Sequence, residues 1–410
     1  MPASPAPERG MSESKIERPR GTHDILPSEQ PRWRQVTSEF ERLCALYGYR
    51  RIDTPVFEHT ELFARTSGLG SDVVTKEMYT FADRGDRSLT LRAEATAPIV
   101  RAYLEHGLHR EPQPQKLYSI SSIYRYGRPQ KGRWREHWQL DLEAIGSDDP
   151  AVDAEVIQLY DTLLRRLGIT DYRLELNSIG DVRCRPAYLE RLQSWLQEHA
   201  AELDVATREQ AARNPLRALD NLAGKPPGVQ EVLRQAPSIG DALCDDCRAH
   251  FAEVRRYLDA FDLHYELVPT LVRGLDYYTR TTWEFLGSEA GSQSALSGGG
   301  RYDGLAEELG GRPTPGVGFG AGIERLLLAL EHEGAPAPAD EGIDVFFVCA
   351  NDADRAGVLA KVLELRAAGL RADADFAGRS VKGQQTQAER LGAKRVVVVD
   401  GSTDLGEVTA

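Results

Sequence analysis

The segment YRYGRPQKGRWREHWQLDLEAI, residues 124–145, holds Arg125, Arg128, Lys131, Arg133 and Arg135 within eleven positions, opposed locally only by Glu136. Cationic side chains at that density bind phosphate oxygens, guanidiniums doing so through two parallel hydrogen bonds. In the strand pattern that follows, period two puts Gln139, Asp141 and Glu143 on one face and Leu140, Leu142 and Ala144 on the other. Such a hairpin can hold a polyanion at its tip and an ammonium-bearing ligand beside it. Taken alone, it equally suits a solvated loop on a half-exposed strand.

Four further stretches carry chemistry of the same kind. In LRAEAT, residues 91–96, Arg92, Glu94 and Thr96 alternate with Leu91, Ala93 and Ala95, so Glu94 and Thr96 can face one site and accept from an ammonium group. Arg92 is free to pair with Glu94 or another carboxylate. In LVRGLDYYTRTTWEF, Gly274 permits an unusual turn after Arg273, and Tyr277 and Tyr278 point in different directions on a strand, one packing and one offering a hydroxyl. The glycines of SGGGRYDGL let backbone approach a ligand, without the spacing of a Walker A loop or a dinucleotide fingerprint. In GVGFGAGIERLLLAL, glycines on a strand lead into a helix, admitting a flat base while Arg325 reaches phosphate. Each stretch by itself also reads as ordinary strand or surface.

Other reactive residue types complete no recognisable set. Cys244 and Cys247 have the spacing of half a zinc site, with only Cys184 and His250 as weak candidates to complete it, and read as free thiols at a helix start. His23 and His137 finish no Ser/His/Asp or Cys/His arrangement, so structural or peripheral roles are expected. No metal is assigned to protein side chains.

The elements that must position these groups follow from periodicity. Trp33, Val36, Phe40, Leu43 and Leu46 recur at three and four and predict an amphipathic helix ended by Gly48. MYTFADRGDRSLTL predicts a hairpin turning at Asp83, Arg84, Gly85 and Asp86, and KLYSISSIYRY pairs with REHWQLDLEAIG. Residues 185–262 predict a helical insertion, because strand-forming sequence resumes after it. GAPAPADEG, residues 334–342, predicts a linker, and residues 343–410 a βαβαβ domain with a mostly parallel sheet. Residues 1–18 predict a loose tail before a first domain spanning 19–333.

Composition excludes several classes. The 410 residues are 41% hydrophobic and 28% charged, too order-forming for a disordered or fibrous chain. A formal charge of −13 disfavours a uniformly basic surface, while leaving room for a local basic groove such as Arg379, Lys382, Arg390, Lys394 and Arg395. No apolar run approaches the ~18 residues of a membrane span, and the N-terminus lacks a secretory pattern. Five scattered cysteines suit reduced thiols in a cytoplasmic protein.

Taken in order, these stretches resemble the histidyl-tRNA synthetase family of class II aminoacyl-tRNA synthetases. The class II motifs look like YRRIDTPVFE, the 124–145 hairpin and GVGFGAGIERLLLAL; LVRGLDYYTR and SGGGRYDGL are the more specific segments, supported by RGTHDILP and LTLRAEATAP. The resemblance implies an α/β and α+β multidomain fold: a six-stranded antiparallel catalytic sheet flanked by helices, the helical insertion, and a C-terminal α/β anticodon-binding domain. Relatives usually continue beyond GEVTA, so a shortened last domain is expected, and they often carry Pro and Gly at the positions of Ala93 and Ala95.

The implied activity is ATP-dependent activation of histidine and its transfer to tRNA(His), by a cytoplasmic homodimer using ATP with Mg²⁺. Glu94, Thr96 and Gln139 resemble the contacts to the substrate ammonium, Glu143 and Tyr278 those to its imidazole, with Tyr277 beside them. Arg125 and Arg273 resemble the catalytic groups on the α-phosphate, and Arg133 and Arg325 those on the distal phosphates. Arg128, Gln130, Lys131, Arg379 and Lys382 are the expected tRNA contacts. The alternative is a non-catalytic paralogue of the same fold, the histidine-sensing regulatory subunit of ATP phosphoribosyltransferase. A third, an RNA-binding module retaining the fold, leaves the ATP-phosphate residues without a purpose.

Overall fold

The computed structural model describes residues 15–66, 77–129, 132–220, 222–288, 295–339, 342–351 and 355–408. Two compact units divide the chain: one extends to Pro336 apart from Pro27–Pro31, and the other comprises Pro27–Pro31 with the residues from Ala337 onward.

In chain order the elements up to the insertion are α1 (Gln30–Leu46), β1 (Arg50–Arg51), β2 (Phe57–His59), α2 (Thr60–Thr66), β3 (Thr80–Ala82), β4 (Ser88–Leu91), α3 (Thr96–Glu105), β5 (Gln115–Tyr124), β6 (Glu136–Ile145), α4 (Pro150–Leu167) and β7 (Tyr172–Ser178). The insertion supplies α5 (Arg185–Glu198), α6 (Val205–Arg213), α7 (Pro227–Leu233) and α8 (Asp245–Ala260). Then follow β8 (Glu266–Leu267), β9 (Thr279–Gly287), β10 (Ala295–Arg301), α9 (Leu305–Glu308), β11 (Gly316–Gly322) and α10 (Ile323–His332).

The principal sheet has eight strands in the order β1-β5-β6-β11-β10-β9-β7-β8. Its six central strands pair antiparallel. The implied six-stranded sheet is extended by one two-residue strand at each edge, both paired parallel. Alternation along these strands separates two functions. Leu140 and Leu142, Val317 and Phe319, Trp283 and Phe285, and Leu174 and Leu176 are buried in one core with residues of α1, α4 and α10. Each large side chain of that kind contributes ~1.5–3 kcal/mol on burial. The opposite face carries Gln139 and Asp141, Gly318 and Gly320, Glu284, and Arg173 and Glu175, a polar and open face on which a ligand can lie.

Helix α1 buries Trp33, Val36, Phe40 and Leu43 as expected, but Cys44 takes the place given to Leu46, which is 64% exposed. At 100° per residue Cys44 lies one turn from Phe40, whereas Leu46 falls on the far side. Gly48, at φ +76°, follows in the left-handed conformation that only glycine adopts cheaply. The hairpin at Asp83–Asp86 forms between β3 and β4, with β2 on the other side of β4.

The second unit contains β12 (Val345–Cys349), α11 (Arg355–Ala367), β13 (Ala372–Ala374), α12 (Val381–Arg390) and β14 (Arg395–Val399). Its sheet is ordered β13-β12-β14, and both pairings are parallel.

Candidate active site

A cavity of about 920 Å³ lies over the polar face of the principal sheet. Its walls come from β6, β9, β10 and β11, from the start of α3, from residues 268–278, and from the insertion through Arg217, Gln230 and Arg234. Glu94, Thr96, Arg125, Arg133, Gln139, Arg273, Tyr277, Tyr278 and Arg325 all line it, so segments up to 231 residues apart in sequence converge on one space.

One region of the cavity is acidic. Glu94 is buried and accepts from the Thr96 and Ala97 backbone N–H groups at 2.8 and 2.9 Å, capping α3, and from the Tyr277 hydroxyl at 3.4 Å. Thr96 is the first residue of α3, so LRAEAT is a strand end followed by a helix start rather than a continuous alternating strand. Beneath it, Glu143 is wholly buried and does not line the cavity. Its oxygens accept from the Thr96 hydroxyl at 2.7 Å and from the Tyr302 hydroxyl. Of the expected polar row, therefore, Gln139 and Asp141 face the cavity and Glu143 forms its covered floor.

Burial raises the pKa of all three carboxyls. Glu143 is pushed up to about 8, against the pull of the Thr96 and Tyr302 hydroxyls. Glu94 is raised by burial despite its backbone bonds and Arg125, and Asp141 by burial and then by Glu143 and Glu94. Three buried acids so close together are a site whose ionised form is completed by a cationic ligand.

The other region is basic. Arg273 donates to Glu284 at 2.8 Å, and this partner outweighs burial, keeping the guanidinium protonated. Arg125 is fixed through Nε to the Ala93 carbonyl at 2.7 Å, and Arg325 donates to the carbonyls of Gly132 and Ala295. Burial lowers the pKa of Arg325; Glu284 opposes the shift, while Arg133, Arg125 and Arg273 add to it. Arg125 acts on the carboxyls and on the arginines alike, and so stands at the junction of the two regions. His137 also lines the cavity; burial, then Arg125 and Arg325, push its pKa down to about 3, leaving a neutral imidazole.

Several sequence expectations change here. The glycines make room for protein side chains: a Cβ on Gly298 would lie 1.8 Å from the Arg273 guanidinium, on Gly318 1.9 Å from the Glu143 carboxylate, and on Gly320 1.8 Å from the Gln139 amide. Gly274 has ordinary room and no left-handed φ, so its turn does not require glycine. Tyr277 and Tyr278 precede β9, and their rings, 4.8 Å apart, both line the cavity instead of pointing apart. Among the described residues Arg92 pairs with no carboxylate; it donates to the carbonyls of Ser122, Thr54 and Pro55 and ties three segments together. Arg133 is opposed by Glu77 at 2.6 Å, a residue 56 positions away.

Sequence reasoning missed Tyr302, Glu284 and Arg217. Tyr302 was in view inside SGGGRYDGL, and Glu284 faces Gly298 directly across the β9–β10 pair. Arg217 reaches from the insertion to Asp276 at 2.7 Å and to the Arg273 carbonyl at 3.4 Å. Of the expected tRNA contacts, Arg128 is exposed near the cavity-forming hairpin, and Gln130 and Lys131 lie outside the described residues. Arg379 and Lys382 are exposed on the second unit, Arg379 paired with Asp375.

Comparisons with known proteins point to one family. The family model described as histidyl-tRNA synthetase matches residues 21–326. A histidine–tRNA ligase of Moorella thermoacetica is 50% identical over 382 residues, covering 93% of this chain and 90% of the relative. One from Halothermothrix orenii is 45% identical over 395 residues, covering 96% and 94%. The crystal structure of apo S. aureus histidyl-tRNA synthetase superposes with a TM-score of 0.78 at 38% identity, covering 94% of this chain and 91% of that one. With its class II sheet, its acidic and basic cavity and these relatives taken together, the chain belongs to the histidyl-tRNA synthetase family.

Proposed function

We propose that this protein activates L-histidine with ATP and transfers the histidyl group to the 3′ end of tRNA(His). The observation carrying this reading is the division of one cavity into a buried acidic region and a four-arginine region, joined at Arg125. A ligand with an ammonium and an imidazole suits the first, and a polyphosphate suits the second.

In this reading the histidine ammonium is held by Glu94, Thr96 and Gln139. The imidazole lies against Tyr278 and Tyr277 and reaches Glu143 by displacing the Thr96 or Tyr302 hydroxyl. A carboxylate and a phenol can satisfy both ring nitrogens, and an apolar side chain would leave them unpaired. ATP enters as its magnesium complex, the metal being part of the substrate. The histidine carboxylate attacks the α-phosphorus; the new C–O–P linkage forms as the bond to pyrophosphate breaks. No protein nucleophile is needed, because the attacking group is already anionic. Arg125 and Arg273 stabilise charge on the α-phosphate, and Arg133 and Arg325 receive the departing pyrophosphate. A terminal ribose hydroxyl of tRNA then attacks the adenylate carbonyl and AMP leaves, with an adenylate phosphate oxygen accepting the proton.

The tRNA is met by Arg128, Gln130 and Lys131 at the acceptor end and by Arg379 and Lys382 on the second unit, which acts as the anticodon-binding domain. The active species is a cytoplasmic homodimer. An exposed apolar patch of Val56, Phe57 and Phe81 supports the dimer, the two phenylalanine rings lying 6.3 Å apart beside the Pro55 segment. No described helix is long and apolar enough to cross a membrane. ATP–pyrophosphate exchange tests the reading: exchange that requires histidine is expected, and a protein that binds histidine without exchange would be the regulatory paralogue instead.

A further inference from the structure

Away from the cavity, the structure gathers Asp181, Cys184, Cys244 and Cys247, with one ligand atom from each lying within 4.8 Å of all the others. Cys184 Sγ is 3.9 Å from Cys247 Sγ and 3.6 Å from Asp181 Oδ1, and Cys244 Sγ is 4.0 Å from that same oxygen. These separations approach the edges of a coordination tetrahedron. With Zn–S bonds of ~2.3 Å and Zn–O bonds of ~2.0–2.2 Å, ideal angles put two sulfurs ~3.8 Å apart and a sulfur and an oxygen ~3.5 Å apart.

The surroundings are built to hold thiolates. Cys184 stands immediately before α5 and Cys244 immediately before α8, with Cys247 in the first turn of α8, so two helix N-termini lie at the cluster and favour negative charge. The Asp181 N–H donates to Cys184 Sγ at 3.4 Å. Gly180 is required: its φ is +64°, and a Cβ there would lie 2.6 Å from Cys184 Sγ. Arg183 donates through Nε and Nη2 to Asp181 Oδ2 at 3.1 and 2.7 Å, orienting the other oxygen, Oδ1, toward the thiols. Arg280 stands 3.9 Å from Oδ2. Arg183 also pairs with Asp246 and Arg280 lies 3.8 Å from Asp303, so these two guanidiniums offset part of the two net negative charges of three thiolates and a carboxylate on a divalent ion.

We propose that Asp181, Cys184, Cys244 and Cys247 form a structural zinc site. Three thiols give up their protons to solvent as the ion binds, and no electron is transferred. Soft sulfur donors select zinc over magnesium or calcium, and four protein ligands leave no open position for catalysis. The half-site visible at Cys244 and Cys247 is completed by Cys184 and by Asp181. His250 instead faces Asp153 at 3.3 Å. The ion fastens the two ends of the helical insertion, closing a loop of roughly 60 residues. It also braces the tyrosine segment: Arg185, next to Cys184, donates to the carbonyls of Ile179, Gly180 and Tyr278 at 3.1, 3.0 and 2.6 Å.

The test uses the full chain purified from zinc-supplemented medium without chelator, with metal measured by mass spectrometry. About one zinc per chain is expected, retained in Cys349→Ser and lost in Cys184→Ser and Cys247→Ser, while Arg183→Ala weakens affinity roughly 10–100-fold. Because the cysteine variants can fail to fold, the wild type supplies an independent readout. Stripping the metal should expose three additional thiols to a thiol reagent and lower the unfolding midpoint, and cobalt should restore both with a thiolate-to-metal absorption band. Substoichiometric zinc with all thiols reactive, or a Cys184–Cys247 disulfide in non-reducing mass spectrometry, would overturn the site. Histidine-dependent exchange measured on the same samples separates this outcome from failure of the synthetase reading.

Discussion

Replacing Glu143 by Gln tests the acidic floor of the cavity in two independent ways. The side chain occupies a niche left by Gly318 and receives two hydroxyls, and a glutamine of the same shape keeps one oxygen acceptor and can donate its amide to the other hydroxyl. The fold is therefore expected to survive. In the unliganded wild type the carboxyl keeps its proton up to about pH 8, whereas the unfolded chain releases it near its ordinary value of 4.5. Between those limits the folded state binds more protons, so wild-type stability falls as pH rises, by up to ~1.4 kcal/mol per pH unit. The glutamine variant lacks this fall. Urea unfolding at about pH 5 and about pH 8 should show the variant gaining on the wild type by as much as ~4 kcal/mol over that interval.

Histidine binding should move the other way. A charge-assisted hydrogen bond is worth ~1.5–3 kcal/mol, so histidine discrimination or catalytic efficiency should drop roughly 10–100-fold. ATP affinity should hold, because Arg125, Arg133, Arg273 and Arg325 are untouched. Parallel stability curves for wild type and variant would refute the buried, protonated carboxyl. Unchanged histidine binding with collapsed ATP affinity would move Glu143 to the nucleotide side.

Arg273→Ala should remain folded and lose roughly 10²–10³-fold in histidine-dependent pyrophosphate exchange, the effect of removing one preorganised charge-stabilising contact; a near-wild-type rate would remove Arg273 from the α-phosphate. Arg301→Met should destabilise the first unit by about 3–5 kcal/mol in urea unfolding, because Asp153 is left buried without the guanidinium that pairs with it. A loss below about 1 kcal/mol would show that His250 and the nearby backbone suffice. Phe57→Asp should shift sedimentation from dimer to monomer by putting a charge in the exposed apolar patch, and a dimer unchanged at dilute protein would assign that patch elsewhere.

Local pattern carried much of this protein. Period two in QLDLEA separates Leu140 and Leu142 from Gln139 and Asp141 whatever packs against them, and spacings of three and four mark α1, because both depend on backbone geometry within a few residues. The order of LRAEAT, the basic hairpin, LVRGLDYY and GVGFGAGIER was equally legible, and with it the family. Tertiary structure alone decided what opposes each of these faces. Glu143 lies under Thr96, 47 positions away, and Tyr302, 159 away, and this burial raises its pKa. The glycines of β10 and β11 are explained only by side chains arriving from elsewhere: Arg273 over Gly298, Glu143 and Gln139 over Gly318 and Gly320. Asp181 and Cys184 meet Cys244 and Cys247 only because β7 and the two ends of the insertion return to one point. Alternation states which way a side chain leaves the backbone; its neighbours, its protonation and its role follow from chain segments that periodicity cannot bring together.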